Sequence, residues 1–171
     1  LAASAAVPRG AALHGTNLKR IRAYMHQTLT GPNATEVTSV QSPLGGGATF
    51  GQITVLDNEL RDGLHRGSSS PLGRFQGLFA MTGLANTPGL LSAVDVVFTG
   101  GKYQGSTLAM LGPVLSFTSA IERAVVGGTG AFRMARGYCV LTAVWSPTPE
   151  STVYEVNLLL KLGGNLLAKM D

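Results

Sequence analysis

The sequence predicts an all-β protein, a barrel or a sandwich of about eight short antiparallel strands. Short segments rich in β-branched and apolar residues recur along the chain, and glycine, proline, serine or asparagine lies in nearly every gap between them. The 171 residues include 23 glycines, and 44% are hydrophobic whereas only 13% are charged. This balance excludes a disordered chain and favours short strands joined by tight turns.

Residues 21–29 form the first predicted strand because Ile21, Met25 and Gln27 share one face of an alternating pattern. Further strands are predicted at 36–41, 49–57, 74–82, 90–99, 103–111, 132–144 and 152–162. Only residues 116–124 favour a helix, which Pro113 and Gly127 would bound. No linker divides the chain, so we expect one domain at 19–162, a flexible N-terminal segment at 1–18 and a C-terminal tail at 163–171.

The distribution of charge and the short apolar segments argue against nucleic acid and membranes as partners. The net charge is +4, and the basic residues form one dense cluster, Lys19, Arg20 and Arg22. Aromatic residues make up only 6% of the chain. Nucleic-acid binders usually combine a basic face with aromatic side chains, so we expect no nucleic-acid partner. No apolar run approaches the length of a membrane span, so no membrane partner is expected either.

Cofactor motifs are missing from the sequence. Three scattered histidines offer no metal-ligand spacing, and the run 127–130 is rich in glycine but lacks the lysine of a phosphate loop. The single cysteine, Cys139, allows no intrachain disulfide and is predicted to be a buried thiol. We therefore expect no metal and no nucleotide cofactor.

Polar residues interrupt strand faces that otherwise appear buried. Arg136 shares a predicted face with Phe132, Met134 and Tyr138, and Asp95 interrupts an apolar run. A buried charge is unfavourable unless it is paired or solvated. Either these faces are the solvent side of a sheet, or they line a ligand cavity that is apolar with a few polar groups.

Five sequence blocks occur in the order seen in the dirigent proteins of plants. They are residues 24–33 (YMHQTLTGPN), 50–57 (FGQITVLD), 69–77 (SSPLGRFQG), 103–108 (YQGSTL) and 125–137 (VVGGTGAFRMARG). The chain resembles the grass-type members of that family. The resemblance implies an eight-stranded antiparallel barrel that assembles as a homotrimer and uses no cofactor.

The resemblance also implies a function in phenylpropanoid and lignan metabolism. A separate laccase or peroxidase would oxidise a monolignol-like phenol, and the protein would hold the resulting radicals or quinone methides so that one stereoisomer forms. Two alternatives remain: a dehydratase or cyclase acting on flavonoid-like substrates through a quinone methide, and a defence-related cell-wall binding module without chemistry.

The resemblance extends to only some of the family's site residues. Arg136 and Tyr103 match the family pattern, whereas Gln27 and Ala131 stand where acids are usual, and the paired aspartates of the third strand become Asp57 and Asn58. We therefore expect a catalytic set of Arg136, Tyr103 and Asp95, and a substrate pocket formed by Gln27, Met25, Phe132, Met134 and Tyr138.

A glycosylation sequon, Asn33-Ala34-Thr35, lies in a predicted turn. With the resemblance it predicts a secreted glycoprotein of the apoplast, and a cytosolic location is the alternative. The homotrimer is expected to use an apolar outer face, either Tyr154, Val156, Leu158 and Leu160 or the outward side of residues 90–99.

Overall fold

A computed structural model describes residues 18–84 and 89–163, and it is almost entirely β-structure. Each strand pairs antiparallel with its neighbours. The strands are β1 (Lys19–Thr28), β2 (Glu36–Val40), β3 (Ile53–Arg61), β4 (Pro71–Met81), β5 (Leu90–Phe98), β6 (Thr107–Val114), β7 (Ile121–Thr129), β8 (Arg136–Thr148) and β9 (Ser151–Lys161). Short 3₁₀ turns occupy Arg66–Ser68, Gly101–Tyr103 and Gly130–Phe132.

The sheet closes into a barrel where β1 meets β3. The strand order is β1-β9-β8-β7-β6-β5-β4-β3-β2, and β1 also pairs with β3 through Tyr24↔Arg61, Met25↔Leu60 and His26↔Glu59. Eight strands therefore form the ring, and β2 follows β1 along the same edge of β3, where it pairs with the first half of that strand at the mouth. The predicted eight-stranded antiparallel barrel is confirmed.

The ring differs from the predicted strands at two places. The helix predicted at 116–124 is wrong, because β7 begins at Ile121 and is a barrel strand. Ile121, Arg123 and Val125 are buried while the residues between them are exposed, which is the period of a strand. The segment 36–41 was predicted as a strand and contributes β2, which is not one of the eight strands that close the ring.

Alternating side chains fill the barrel interior. On β5, Leu90, Ser92, Val94, Val96 and Phe98 point inward and are buried. One end of the barrel, here called the mouth, is where β1, β4, β6 and β8 end. The opposite end, here called the base, carries the turns Gly101–Tyr103 and Gly130–Phe132.

The strand predicted at 132–144 begins four residues later than expected. Phe132 closes a 3₁₀ turn, Met134 has a left-handed φ of 63°, and β8 starts at Arg136. The irregular turn shifts the alternation by one residue, because side chains change face at every step of a strand. Cys139 and Leu141 consequently face the core, and Cys139 is buried as expected.

The predicted outer patch on β9 is also wrong. Val156, Leu158 and Leu160 are fully buried inside the barrel. The apolar outer face lies on the opposite side of the ring instead, where Val55, Leu78, Ala93 and Leu111 lie side by side across β3, β4, β5 and β6. We call this set, together with Leu91, the outer apolar face.

A polar cluster covers the junction of β1 and β3 on the outside of the barrel. His26 faces outward yet is buried, and its Nε2 has no hydrogen-bond partner. Its cross-strand partner Glu59 is bound by Arg61 and, at 2.8 Å, by Arg66 Nε. Arg61 Nε donates to Ser69 Oγ at 2.9 Å, so the loop after β3 is tied down beside His26.

The barrel strands extend from Lys19 to Lys161, and most of the predicted N-terminal segment and C-terminal tail lies outside the described residues. Within residues 18–84 and 89–163, no helix is long and apolar enough to cross a membrane.

Candidate functional site

A cavity of about 340 Å³ opens at the mouth of the barrel. This volume lies in the lower part of the range of small-molecule sites, which are mostly apolar with a few polar groups. The apolar lining comes from Met25, Leu29, Leu56, Phe75, Phe79, Met81, Leu90, Phe117, Ile121 and Leu141. The polar lining comes from Gln27, Glu36, Thr54, Arg123 and Tyr154.

Arg123 places a cation inside this cavity. β7 directs its side chain inward, and the residue is only 3% exposed. Its Nε donates to Ser92 Oγ at 2.8 Å, its guanidinium lies 5.8 Å and 5.7 Å from the rings of Phe75 and Phe79, and its Nη1 has no partner. A buried donor without a partner is unfavourable, so this atom is available to a ligand acceptor.

Glu36 supplies the carboxylate of the described lining. Its Oε1 accepts hydrogen bonds from Gln27 Nε2 at 2.6 Å and from Asn58 Nδ2 at 3.4 Å. Asn58 is fully buried, and its Oδ1 accepts from the hydroxyl of Thr35. The same hydroxyl accepts from the backbone N–H of Thr28, so the start of β2 is held against both β1 and β3.

Charges and burial shift several pKa values around the cavity. Burial lowers the pKa of Arg123, and the ionised forms of Cys139, Glu36 and Tyr154 oppose that shift. Burial, and after it the charge of Glu36, raises the pKa of the Tyr154 phenol. Burial raises the pKa of Cys139, the cross-strand neighbour of Arg123, to about 12, so its thiol is unreactive at neutral pH. Arg123 stays protonated at neutral pH despite its shift.

The structure brings two of the predicted pocket residues to the cavity. Met25 and Gln27 lie on the inward face of β1 near its end and line the mouth. The interior face of residues 21–29 was therefore assigned correctly.

Most other predicted site residues lie at the base, away from this cavity. Tyr103 packs against Phe132 with 4.9 Å between ring centroids, and both rings contact Phe98. Phe132 is buried within that aromatic cluster. Met134 is 57% exposed, and Tyr138 is half-buried on the outer side of β8.

The prediction that Arg136 and Asp95 point into the barrel is wrong. Arg136 is exposed at the start of β8, and its Nη1 donates to the carbonyl of Ala135 at 2.8 Å. Asp95 is exposed on the outer face of β5, where alternation places it between the inward Val94 and Val96. The two residues therefore form neither a cavity site nor a pair that joins the barrel wall.

Four polar residues of the cavity, Glu36, Thr54, Arg123 and Tyr154, were not predicted from the sequence. Arg123 was hidden in the segment taken for a helix, although the alternation of Ile121, Arg123 and Val125 is visible in the sequence. Tyr154 was assigned to the outer face. Glu36 gave no local signal, because its inward position depends on β2 flanking the ring.

The sequon residue Asn33 is exposed in the turn between β1 and β2, close to the mouth. The hydroxyl of Thr35, the third residue of the sequon, is engaged with Thr28 and Asn58.

Comparison with known proteins decides the family. The family model for dirigent-like proteins matches residues 18–161. The chain belongs to the dirigent family. It is 37% identical over 148 residues to Dirigent protein 21 of Arabidopsis thaliana, covering 84% of this chain and 76% of that protein. It is 35% identical over 133 residues to Dirigent protein 7 of the same plant, covering 78% of this chain and 70% of that one.

A solved dirigent structure has the same barrel. The pterocarpan synthase dirigent protein PsPTS1 superimposes with a TM-score of 0.73 at 29% sequence identity, covering 86% of this chain and 96% of that one. The expected family and the expected barrel are thus confirmed.

Proposed function

We propose that this dirigent protein binds a phenolic radical or quinone methide in the mouth cavity and directs its stereoselective coupling in phenylpropanoid or lignan metabolism. The observation that carries the proposal is the buried Arg123, whose unpartnered Nη1 lies among aromatic rings. A separate laccase or peroxidase generates the radical. The protein contributes orientation, because a fixed pocket replaces random approach of the two faces.

The chemistry of the lining favours a phenolic oxygen as the group that is bound. A guanidinium offers fixed donors and stays charged, so it stabilises a phenolate or a developing oxyanion. Phe75, Phe79 and Phe117 offer apolar surface for the attached ring. In this arrangement Arg123 holds the oxygen and the aromatic walls restrict the plane of the ring.

A second candidate function is dehydration and ring closure of a flavonoid-like alcohol, which the carboxylate of Glu36 favours. The similar protein PsPTS1 is described as a pterocarpan synthase. As the phenol of the substrate binds at Arg123, it transfers its proton to the Glu36 carboxylate, which passes the proton on to the departing hydroxyl. The carbon–oxygen bond breaks, water leaves, and the phenolate becomes a quinone methide.

Ring closure then restores the starting state of the site. A second hydroxyl of the substrate attacks the quinone methide carbon and gives its proton to the Glu36 carboxylate. As the new bond forms, the π electrons of the quinone methide move to the first oxygen, which takes up the proton from Glu36 and becomes a phenol again beside Arg123. Gln27 and Asn58, which donate to Oε1 of Glu36, fix the orientation of the carboxylate throughout.

The binding proposal is tested by substitution at Arg123. Arg123→Leu should abolish the enantiomeric excess obtained from coniferyl alcohol and a laccase, and Arg123→Lys should retain part of it. The matched control is Arg136→Leu, the same change at the exposed base, which should leave the excess unchanged. An unchanged excess with Arg123→Leu contradicts the proposal.

Glu36→Gln separates the two candidate functions. If the protein only orients radicals, this nearly isosteric variant retains the enantiomeric excess of coupling. If it dehydrates a flavonoid-like alcohol, turnover without any oxidase falls by roughly 100-fold or more, the usual size of a general acid–base contribution. A wild-type protein that binds phenols but shows neither stereoselective coupling nor dehydration would be the cell-wall binding module.

Assembly and location complete the proposal. The exposed apolar residues Leu78, Leu91 and Leu111 on the outer apolar face support burial against copies of the chain, and we propose a homotrimer. The exposed sequon at Asn33 supports secretion to the apoplast and a glycan near the mouth.

A further inference from the structure

The basic side chains of the barrel are distributed unevenly between its two ends. Arg61 and Arg66 are paired with Glu59, Arg74 is paired with Asp57, and Arg123 is buried in the cavity. The other basic residues among those described all lie at the base or on the adjoining first residues of β1. They are Lys19, Arg20, Arg22, Lys102, Arg133, Arg136 and Lys161, here called the basic base.

Strand pairing brings these residues close together. Arg136 is the cross-strand partner of Lys161, and Lys19 is the partner of Leu160, the residue before Lys161. The ammonium groups of Lys19 and Lys102 lie 5.6 Å and 5.7 Å from the ring centre of Tyr103. Arg133 directly follows Phe132, which packs on the same ring.

Acidic residues do not balance this charge in the part of the chain described. Glu36, Glu122 and Glu150 lie at the mouth, where β2 and β7 begin and the β8–β9 hairpin turns. Glu155 lies halfway along β9 and accepts a hydrogen bond from Asn157.

Two acids remain that form no salt bridge: one lies away from the basic base, and the other, Asp62, is the single described acid at its edge. Asp95 is exposed in the middle of β5, and Asp62 accepts a hydrogen bond from the backbone of Ser70 in the loop after β3. The barrel therefore has a positive end opposite its cavity, and such an end attracts a polyanion.

We propose that the basic base binds an acidic polysaccharide that carries carboxylates at regular spacing, a polyuronate. Arginine forks match carboxylates, and several neighbouring cations match a repeated charge. A single-stranded nucleic acid would in addition need exposed aromatic platforms. At the described base, Tyr103 packs against Phe98 and Phe132 and lies near two ammonium groups, so it offers no such platform. Because the mouth lies at the opposite end, attachment through the base leaves the cavity accessible.

The test measures binding of the whole chain to polygalacturonate by co-sedimentation at low and high salt. We expect binding at low salt that is lost at high salt, because exposed charges are screened. The double variant Arg136→Gln/Lys161→Gln should weaken binding by roughly tenfold, because it removes two adjacent cations from the patch. A neutral galactan should not bind.

The matched control changes the net charge equally but at the mouth. Ser39→Glu/Gln41→Glu alters two exposed residues near the β2–β3 loop and should leave polygalacturonate binding within about twofold, because screening confines charge effects to their neighbourhood. Equal losses in both double variants would show a general charge effect and overturn the proposal. Tighter binding to a single-stranded oligonucleotide or to anionic lipid vesicles would also overturn it, as would no binding at all.

Discussion

At the scale of single residues, the candidate site depends on a cation whose burial is unfavourable for folding. Arg123 is held by one hydrogen bond to Ser92 and keeps Nη1 unpartnered inside an apolar barrel. Such a group is unfavourable for folding and useful for binding, because a ligand oxygen completes its hydrogen bonds. The apolar walls that make it unfavourable also strengthen its interaction with a phenolate.

Replacing Arg123 by methionine should therefore stabilise the fold while it removes ligand binding. We expect the free energy of unfolding to rise by about 1–3 kcal/mol, since a hydrophobic side chain of similar volume needs no partner. Urea unfolding measures the change. Ser92→Ala should lower the free energy of unfolding by about 1–3 kcal/mol, because it leaves the Nε–H of Arg123 without a hydrogen-bond acceptor. A destabilised Arg123→Met would mean that the guanidinium supports the barrel.

Residue-level prediction from the sequence succeeded where alternation was unbroken. Met25 and Gln27 lie on a regular strand, and both line the cavity. It failed for Arg136, because the 3₁₀ turn at Gly130–Phe132 and the left-handed Met134 reset the alternation before β8. Glu36 could not be found at all, since its inward direction depends on pairing with a strand distant in sequence.

At the scale of elements, the closure of the barrel between β1 and β3 is short and carries a titratable group. Only three residue pairs join these strands, and His26 lies buried at the last of them. Burial, and after it the charge of Arg66, lowers the pKa of His26, while Glu59 opposes the shift and Arg61 adds to it. The folded protein thus favours the neutral imidazole.

Stability should consequently fall as the pH drops through the range in which the unfolded chain takes up this proton. The ordinary pKa of 6.5 marks the start of the loss, which is complete below the lowered pKa of the folded state. Melting temperatures between pH ~7.5 and ~5 measure it. His26→Gln should flatten the profile, and His65→Gln at an exposed position should not.

The pH range for that comparison is set by Glu59. Burial acts to raise its pKa, but hydrogen bonds from Arg61 and Arg66 outweigh burial and lower it below 4.5. The stability from these contacts is present above 4.5 and is lost as the pH falls through the lowered value. Above pH ~5 the slope therefore reports on His26. An unchanged slope in His26→Gln would contradict the assignment.

The strands were largely predictable from the sequence because turn-forming residues separate them clearly. Turn residues mark almost every strand end, and the total of eight ring strands was correct. The error at β7 arose because Pro113, the penultimate residue of β6, was taken to bound a helix. The segment between Val114 and Ile121 lacks the alternation that would have shown a strand to follow.

At the scale of the whole molecule, the barrel presents three different surfaces. The mouth holds the cavity, the base is basic, and the outer apolar face lies on the wall between them. Leu78 and Leu111 are 39% and 46% exposed there. If copies of the chain pack through the wall, both ends stay open to their own ligands.

Charge on this wall should therefore separate the subunits. We expect Leu78→Arg to convert the proposed trimer to a monomer in light scattering, because a buried unpaired cation opposes association. Leu44→Arg provides the control, since Leu44 is 63% exposed in the β2–β3 loop, away from the wall. A monomeric wild-type protein at working concentration would refute the proposed assembly.

β2 is not one of the eight strands that close the ring, so the acid that it carries can change independently of the scaffold. Glu36 reaches the cavity from a strand that no ring hydrogen bond requires, whereas Arg123 belongs to the ring itself. A short graft over Glu36–Val40 can thus exchange the acid of the site while the scaffold stays constant. Chimeras that carry the β2 segment of another dirigent protein would separate inherited substrate preference from inherited fold.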